Sequence, residues 1–313
     1  MRVAAIDLGT NTTRLLVADV ADGRVDEVSR RTTITRLGEG VDARGKLLPL
    51  PIARVRNCLS DYRRELESLG AERALLVATS AVRDADNGEA FLGEIEWSYG
   101  FTTRLLTGEE EAELTLRGAS GGRELPADAV VIDIGGGSTE LITTRERVST
   151  DLGSVRLTER VLASDPPTPR ELDSLAGTIQ LVLAEQVPEG MQAQHGIGVA
   201  GTITSLAALD LGLVDYDPER IHGHVLGDGA VKAQLDRLAA LPLAQRRQVP
   251  GLDPERAPVI VAGAVILREV MRYLGLPEIE ASERDILHGT ALEAAKLPEP
   301  VEGDAPPGAY TCC

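Results

Sequence analysis

Val131-Ile-Asp-Ile-Gly-Gly-Gly-Ser-Thr-Glu-Leu-Ile142 repeats, 126 positions further along, the pattern of Ala5-Ile-Asp-Leu-Gly-Thr-Asn-Thr-Thr-Arg-Leu-Leu16. Asp7 falls on Asp133, Gly9 on Gly135, Thr13 on Thr139 and Leu15 on Leu141. Each copy reads as an apolar strand, a tight glycine-containing turn after an aspartate, and a second apolar strand. That is a β-hairpin whose tip can turn backbone N–H groups outward. Identical spacing of four residue types points to an internal duplication, so one architecture is expected twice in the chain.

Outward from the two hairpins, helices and strands alternate. Pro51 opens a helix whose apolar positions Ile52, Val55, Leu59, Tyr62, Leu66 and Leu69 recur every three or four residues until Gly70 stops it. Ala74 to Thr79 reads as a buried strand, Asn87 to Ser98 as a helix, Phe101 to Leu106 as a strand and Glu109 to Ala119 as a helix. Gly121-Gly122 and Pro126 then mark a hinge. After the second hairpin come a helix near Val155 to Leu162, a Pro-rich break at Asp165 to Pro169, and a helix from Glu171 to Glu185. A short strand from Ile197 to Ala200 leads into a helix from Thr202 to Leu211. Asp228 caps a helix through Leu241, and Pro254 opens a long one through Leu274. Glu278 to Ser282 reads as a strand, Asp285 to Ala295 as a last helix, and the Pro- and Gly-rich residues after Leu297 as a frayed tail. Strand–helix alternation predicts parallel α/β sheets. Two such halves facing across a cleft would bring both hairpin tips to one ligand.

With 32 Lys plus Arg against 49 Asp plus Glu the net charge is −17, which excludes a general nucleic-acid binder relying on a broad basic surface. Any anionic ligand must be met locally. The composition is 43% apolar but only 3% aromatic, so aliphatic residues must fill the core. Cys58, Cys312 and Cys313 make no disulfide framework, and Cys58 falls on the apolar side of its helix. Asp7 interrupts the apolar N-terminus, and the longest uncharged apolar run, Ala257 to Leu267, is far short of the ~20 residues that span a bilayer. A cytoplasmic protein with no membrane partner is expected.

Asp133-Ile-Gly-Gly-Gly-Ser-Thr-Glu140 is the chemically sharpest segment. Gly135, Gly136 and Gly137 let the backbone approach a ligand and turn N–H groups toward an anion, Ser138 and Thr139 add hydroxyls, and Asp133 and Glu140 offer the oxygens Mg²⁺ prefers. In the matching half, Gly9, Thr10, Asn11, Thr12 and Thr13 supply amides and hydroxyls, and Arg14 stands where the second copy has Glu140. Glu109, Glu110 and Glu111 occupy the first turn of a helix, where one or two acids suffice to match the dipole; a third can serve as a base toward water. Arg83 follows a buried strand at its carboxyl end, the place where open α/β sheets bind ligands; it would neutralise phosphoryl charge or, alternatively, pair with Asp84 or Asp86. Gly201-Thr202 opens a helix whose N-terminus is a further anion seat. His222-Gly-His224 lacks a third ligand at partner spacing, so a structural loop role is favoured over a metal. A Walker-type loop is absent from the sequence.

Together the Asp7 and Asp133 hairpins, Ala78 to Asn87, Gly108 to Ala112, Val199-Ala-Gly-Thr202 and Ser282-Glu-Arg-Asp-Ile-Leu-His-Gly289 resemble the exopolyphosphatase and guanosine pentaphosphate phosphohydrolase family, from about Val3 to Leu297. The resemblance implies the duplicated two-domain fold of the actin, sugar kinase and heat-shock ATPase superfamily, which is ribonuclease H-like, with an interdomain cleft. On that basis residues 1–122, completed by the helix at about 285–297, form one domain, residues 123–284 the other, and residues 298–313 a disordered tail. Carried over by position, the family's catalytic base falls on Glu111 and the Arg of its Ser-x-x-Arg segment on Arg83. Its magnesium-associated carboxylates fall on Asp133 and Glu140, with Asp7 as their counterpart in the first hairpin, and its phosphate loops on Gly9 to Thr13 and Gly135 to Thr139. The implied activity is Mg²⁺-dependent release of orthophosphate from the ends of inorganic polyphosphate, with Mn²⁺ as an alternative ion. Removal of the 5′ γ-phosphate of guanosine pentaphosphate (pppGpp), with ppGpp as product, is the nearest alternative, and a non-catalytic sensor of polyphosphate or alarmone is a third. The resemblance is to the short, two-domain members of the family and not to longer relatives with extra helical domains, which weakens the expectation of processive action on long chains; a homodimer is left open.

Overall fold

The computed structural model describes residues 1–298; the tail after that point, with Cys312 and Cys313, lies outside the described residues. Along the chain run β1 (Arg2–Leu8), β2 (Thr12–Ala21), β3 (Arg24–Ile34), α1 (Val41–Arg44), α2 (Pro49–Ser68), β4 (Arg73–Ala78), α3 (Ser80–Arg83), α4 (Gly88–Tyr99), β5 (Thr102–Leu105) and α5 (Gly108–Ser120). There follow β6 (Ala129–Ile134), β7 (Thr139–Ile142), β8 (Arg147–Thr150), α6 (Ser154–Val161), α7 (Pro169–Gln186), β9 (His195–Val199) and α8 (Ala200–Asp210). The rest comprises α9 (Pro218–Ile221), β10 (Val225–Gly227), α10 (Asp228–Ala239), α11 (Leu243–Arg246), α12 (Ile260–Leu274), β11 (Glu278–Ala281) and α13 (Ile286–Ala294). The described chain divides into two compact units, one containing Met1–Arg123 and residues 286–298, the other Glu124–Asp285.

Unit 1 has a sheet in the order β3-β2-β1-β4-β5, and unit 2 one in the order β10-β11-β9-β6-β7-β8. Read from the opposite edge, the second sheet repeats the first, with β10 added at the far side. In both, the hairpin is antiparallel and the strands beyond it are parallel: β1 with β4 and β4 with β5, β6 with β9 and β9 with β11. The sheets are therefore mixed rather than purely parallel. The register of the hairpins repeats as well. Asp7 faces Arg14 and Leu8 faces Thr13; Asp133 faces Glu140 and Ile134 faces Thr139. The turn closes through Gly9 N–H to Thr12 O at 3.0 Å in one copy and Gly135 N–H to Ser138 O at 3.0 Å in the other.

Aliphatic residues fill the layers between sheet and helices, as the low aromatic content requires. On one face of the unit 1 sheet Ile6, Leu15, Val55, Leu59 and Leu76 are completely buried, and on the other Val3, Ala5, Leu16 and Val77 meet Leu287 and Ala291 of α13. Cys58 lies in the first of these layers, where burial pushes its thiol up. In unit 2, α7, α8, α10 and α12 cover β6, β9 and β11.

Two helix starts differ from expectation. Residues 254–259 form turns and α12 begins only at Ile260. Pro258 disfavours helical geometry at Ala257 and lacks an N–H, so a helix opened at Pro254 cannot run through it. Asp228 is the first residue of α10, whose cap is Gly227; it complements the helix dipole instead of capping.

Arg246 of α11 is 3% exposed and donates to the carbonyls of Leu238 (2.9 Å), Leu241 (2.8 Å) and Ala257 (3.2 Å). Burial lowers its pKa, and the half-exposed Asp165 carboxylate 4.0 Å away opposes that shift. Arg246→Met leaves three carbonyls without this donor and is expected to destabilise the protein by about 3 kcal/mol. Urea unfolding of the variant against wild type checks this, and a change under about 0.5 kcal/mol, the size of an ordinary surface substitution, would contradict it.

Candidate functional site

In unit 1 the carboxyl ends of three neighbouring parallel strands carry the chemistry, as the geometry of open α/β sheets favours. β1 ends in the Gly9 turn, β4 in α3 with Ser80 and Arg83, and β5 in the first turn of α5. Thr10 Oγ1 and Ser80 Oγ share a buried hydrogen bond at 2.9 Å, which ties the turn to α3. From the end of α3, Arg83 Nη1 donates to Leu106 O at 2.8 Å and reaches Glu111 Oε2 at 3.4 Å. Arg83 thus pairs across to the acidic helix.

The three acids of α5 separate by environment. Glu109 is exposed. Glu110 closes a capping box, accepting from Thr107 N–H at 2.9 Å while its own N–H donates to Thr107 Oγ1 at 3.2 Å. The Thr107 amide and then Arg104 hold the Glu110 carboxyl below the usual range, so it is a structural carboxylate. Glu111 is 8% exposed and stands beside the Arg83 guanidinium. Of the three, Glu111 alone combines burial with a cation at the strand ends.

Asp7 and Arg14 form a forked ion pair, with Arg14 Nε and Nη2 donating to Asp7 Oδ2 at 2.9 and 2.6 Å. Both donors fall on Oδ2, so Arg14 balances the charge of Asp7 inside the hairpin. The duplicated position differs in kind. Asp133 and Glu140 sit directly opposite each other on β6 and β7, 7% and 1% exposed, and Glu140 Oε1 accepts from Ser149 Oγ at 2.8 Å. Directly opposed residues share a face with Cβ atoms about 5 Å apart, so two hard oxygen donors lie together.

The Gly135–Ser138 turn is braced from behind by the start of α6. Gly135 O accepts from Ser154 N–H (3.0 Å) and Oγ (3.2 Å), Gly136 O from Val155 N–H (2.9 Å) and Arg156 N–H (3.1 Å), and Gly137 O from Arg156 Nε (2.8 Å). Across a trans peptide a carbonyl and the following N–H point in opposite directions. With three successive carbonyls drawn to α6, the N–H groups of Gly136, Gly137 and Ser138 are turned to the other side. This seating requires Gly153, where a Cβ would lie 2.2 Å from Gly136 O and 2.3 Å from Gly137 C. Unit 1 repeats the device: Thr10 O accepts from Gly38 N–H (2.8 Å), and Asn11 O from Thr35 and Arg36 N–H (3.1 and 2.9 Å). The amides of Asn11 and Thr12 are turned outward in the same way.

Thr13 and Thr139 do not line the tips. Both are completely buried; Thr13 Oγ1 bonds Thr35 Oγ1 at 2.9 Å, and Thr139 Oγ1 donates to Leu152 O. They brace the hairpins, leaving Thr10, Asn11, Thr12 and Ser138 as the side chains of the turns. Gly201 and Thr202 open α8, entered through Ala200 at φ 66, a left-handed value uncommon for a residue with a side chain. A Cβ at Gly201 would lie 1.5 Å from Arg256 Nη1, so a guanidinium is seated at the start of this helix. Local sequence held no signal for Arg256, Gly38 or Gly153; Ser80 is the serine of the Ser-x-x-Arg segment. His224 Nε2 pairs with Asp210 Oδ2 at 2.7 Å, and His222 Nδ1 accepts from Glu283 N–H at 3.3 Å, which gives both rings loop-bracing contacts. Among the described residues no cluster of three or more His, Cys, Asp or Glu is arranged to hold a metal ion. No described helix is long and apolar enough to cross a membrane.

Two like-built α/β units, each presenting outward amides at a strand–turn–strand elbow, with a buried Glu–Arg pair in one and opposed carboxylates in the other, define a class of proteins that handle condensed anions. The chain belongs to the Ppx/GppA phosphatase family, whose model matches residues 16–297. Exopolyphosphatase 2 of Mycobacterium tuberculosis (strain ATCC 25618 / H37Rv) is 41% identical over 320 residues, covering 94% of this chain and 98% of that protein. The crystal structure of an exopolyphosphatase-like protein matches with a TM-score of 0.88 at 32% identity, covering 95% of this chain and 99% of the other. That of the Aquifex aeolicus Ppx/GppA family member matches at 0.80 with 30% identity, covering 95% and 98%. The architecture is the duplicated α/β fold, one sheet order in each of two units, expected from the repeat.

Proposed function

We propose that this chain is an exopolyphosphatase, hydrolysing the terminal phosphoanhydride bond of inorganic polyphosphate to orthophosphate and a chain one unit shorter. The observation that carries the reading is Glu111, buried beside Arg83 at the same strand ends as the Gly9 turn. The resemblance to Exopolyphosphatase 2 supports the substrate. Phosphoryl transfer demands positioning and charge stabilisation more than covalent help. Glu111 orients water and takes its proton as the new P–O bond forms at the terminal phosphorus and the bridging P–O bond breaks. Arg83 neutralises charge on the transferring group, and the outward amides of each turn, Asn11 and Thr12 in unit 1 and Gly136, Gly137 and Ser138 in unit 2, donate to phosphate oxygens.

The oxygen donors at Asp133 and Glu140 suit Mg²⁺, which is held by one or two carboxylates and completes its shell with water and phosphate oxygens. Bound there, it would screen the charge of an anhydride approaching a protein of net charge −17. Steep metal dependence is the expected result. One orthophosphate-release assay, with polyphosphates of graded length and guanosine pentaphosphate, with and without Mg²⁺, tests the reading. Release from polyphosphate that stops in excess chelator supports it; full activity in chelator contradicts the metal role. A higher kcat/KM on the pentaphosphate would assign that nucleotide as substrate, and binding without release would make the protein a sensor.

A further inference from the structure

α13 and α5 of unit 1 lie side by side and run in the same direction. Gly289 meets Leu114, and one turn further on Glu293 Oε1 pairs with Arg117 Nη1. The contact at Gly289 is unusually close: a Cβ there would stand 2.0 Å from Leu114 O, 2.7 Å from its C and 2.9 Å from its Cα. All three atoms are backbone, so no rotamer change relieves the contact; α5 itself would have to move. Leu114 follows Glu111 by three residues, roughly one helical turn. On its other side Glu111 follows the Thr107–Glu110 capping box. The buried carboxylate is thus held between a cap and a side-chain-free helix contact.

We propose that Gly289 is a positioning residue for Glu111: by admitting the α5 backbone to contact, it sets the depth at which the Glu111 carboxylate stands beside Arg83. This rests on Glu111 being the base. An alanine at 289 would gain about 1 kcal/mol of helix propensity over glycine. It would also drive α5 back by more than about 1 Å to reach normal contact distance, and a misplacement of that size lowers turnover on the order of 10²-fold.

The test compares Gly289→Ala with Gly177→Ala, a helical glycine of α7 where an added Cβ meets nothing within 4 Å. Turnover is taken per mole of protein eluting as the native species, well below the melting temperature. Expected for Gly289→Ala is a 10- to 100-fold lower kcat with KM within about threefold; Gly177→Ala keeps both. A double-mutant cycle with Glu111→Gln separates positioning from general damage: if Gly289 acts through Glu111, the double variant is no slower than Glu111→Gln alone. Wild-type kcat in Gly289→Ala with Glu111→Gln inactive would overturn the positioning role. So would a double variant slower than Glu111→Gln by the full factor of the single. Wild-type turnover in Glu111→Gln itself would instead remove the base assignment beneath it.

Discussion

Glu111→Gln is expected to lower kcat on polyphosphate by about 10²- to 10⁴-fold, the usual contribution of a positioned base, with KM changed by less than about threefold. The amide keeps the size of the side chain and an acceptor oxygen toward Arg83, so α5 and its capping box should remain in place. What disappears is the capacity to take a proton. The neighbouring acids supply the internal control. Glu110→Gln weakens the cap of α5 and should lower the melting temperature while keeping most of the turnover, because that carboxylate is engaged by Thr107 and Arg104. Steady-state kinetics of the two variants decide. Loss of turnover in Glu110→Gln with retention in Glu111→Gln would transfer the role to the wrong side of the helix and contradict the geometry.

The second large effect is expected at a residue that carries no functional group. Gly153→Ala would put a methyl 2.2 Å from Gly136 O and 2.4 Å from Gly137 Cα, backbone against backbone. Gly153 has φ −118 and ψ 145, torsions any residue adopts, so the penalty comes from contact alone. Either α6 withdraws and the three carbonyls of residues 135–137 lose their donors, or the turn shifts; both re-aim the N–H groups of Gly136, Gly137 and Ser138. Removing one well-aimed donor from a developing oxyanion lowers turnover on the order of 10²- to 10³-fold, and kcat/KM should fall by at least that factor. Gly229→Ala, where an added Cβ meets nothing within 4 Å, should be silent. Wild-type kcat/KM in Gly153→Ala would show that the turn does not depend on this seat.

Both effects show which parts of the molecule were legible in the sequence. The hairpins were, because duplication left Asp, Gly, Thr and Leu at one spacing, and the structure repeats even the register, Asp7 to Arg14 and Asp133 to Glu140. Most helices were legible through apolar periodicity and Pro or Gly at their ends. Strand β3 was not: its residues Arg24–Ile34 are largely exposed at a sheet edge and alternate charged and small groups, so no buried face marks them. The helix expected from Pro254 failed because Pro258, four residues on, overrides the periodicity of the segment. In the site, hydroxyls read alike in one dimension, yet Thr10 faces Ser80 at the turn while Thr13 is sealed under Thr35 and Tyr62. Gly38 and Gly153 share the same obscurity. Each is a lone glycine in sequence, and only the atoms packed against it reveal why no side chain fits.

In the proposed reaction water, directed by Glu111, attacks the terminal phosphorus of a polyphosphate chain. Hydrolysis in water enriched in oxygen-18, followed by mass analysis of products after limited turnover, tests it most directly. Expected is one solvent oxygen in each released orthophosphate and none in the shortened chain, with release by Glu111→Gln slowed about 10²- to 10⁴-fold. Solvent oxygen in the remaining chain, fragments longer than orthophosphate, or unchanged release by Glu111→Gln would contradict it.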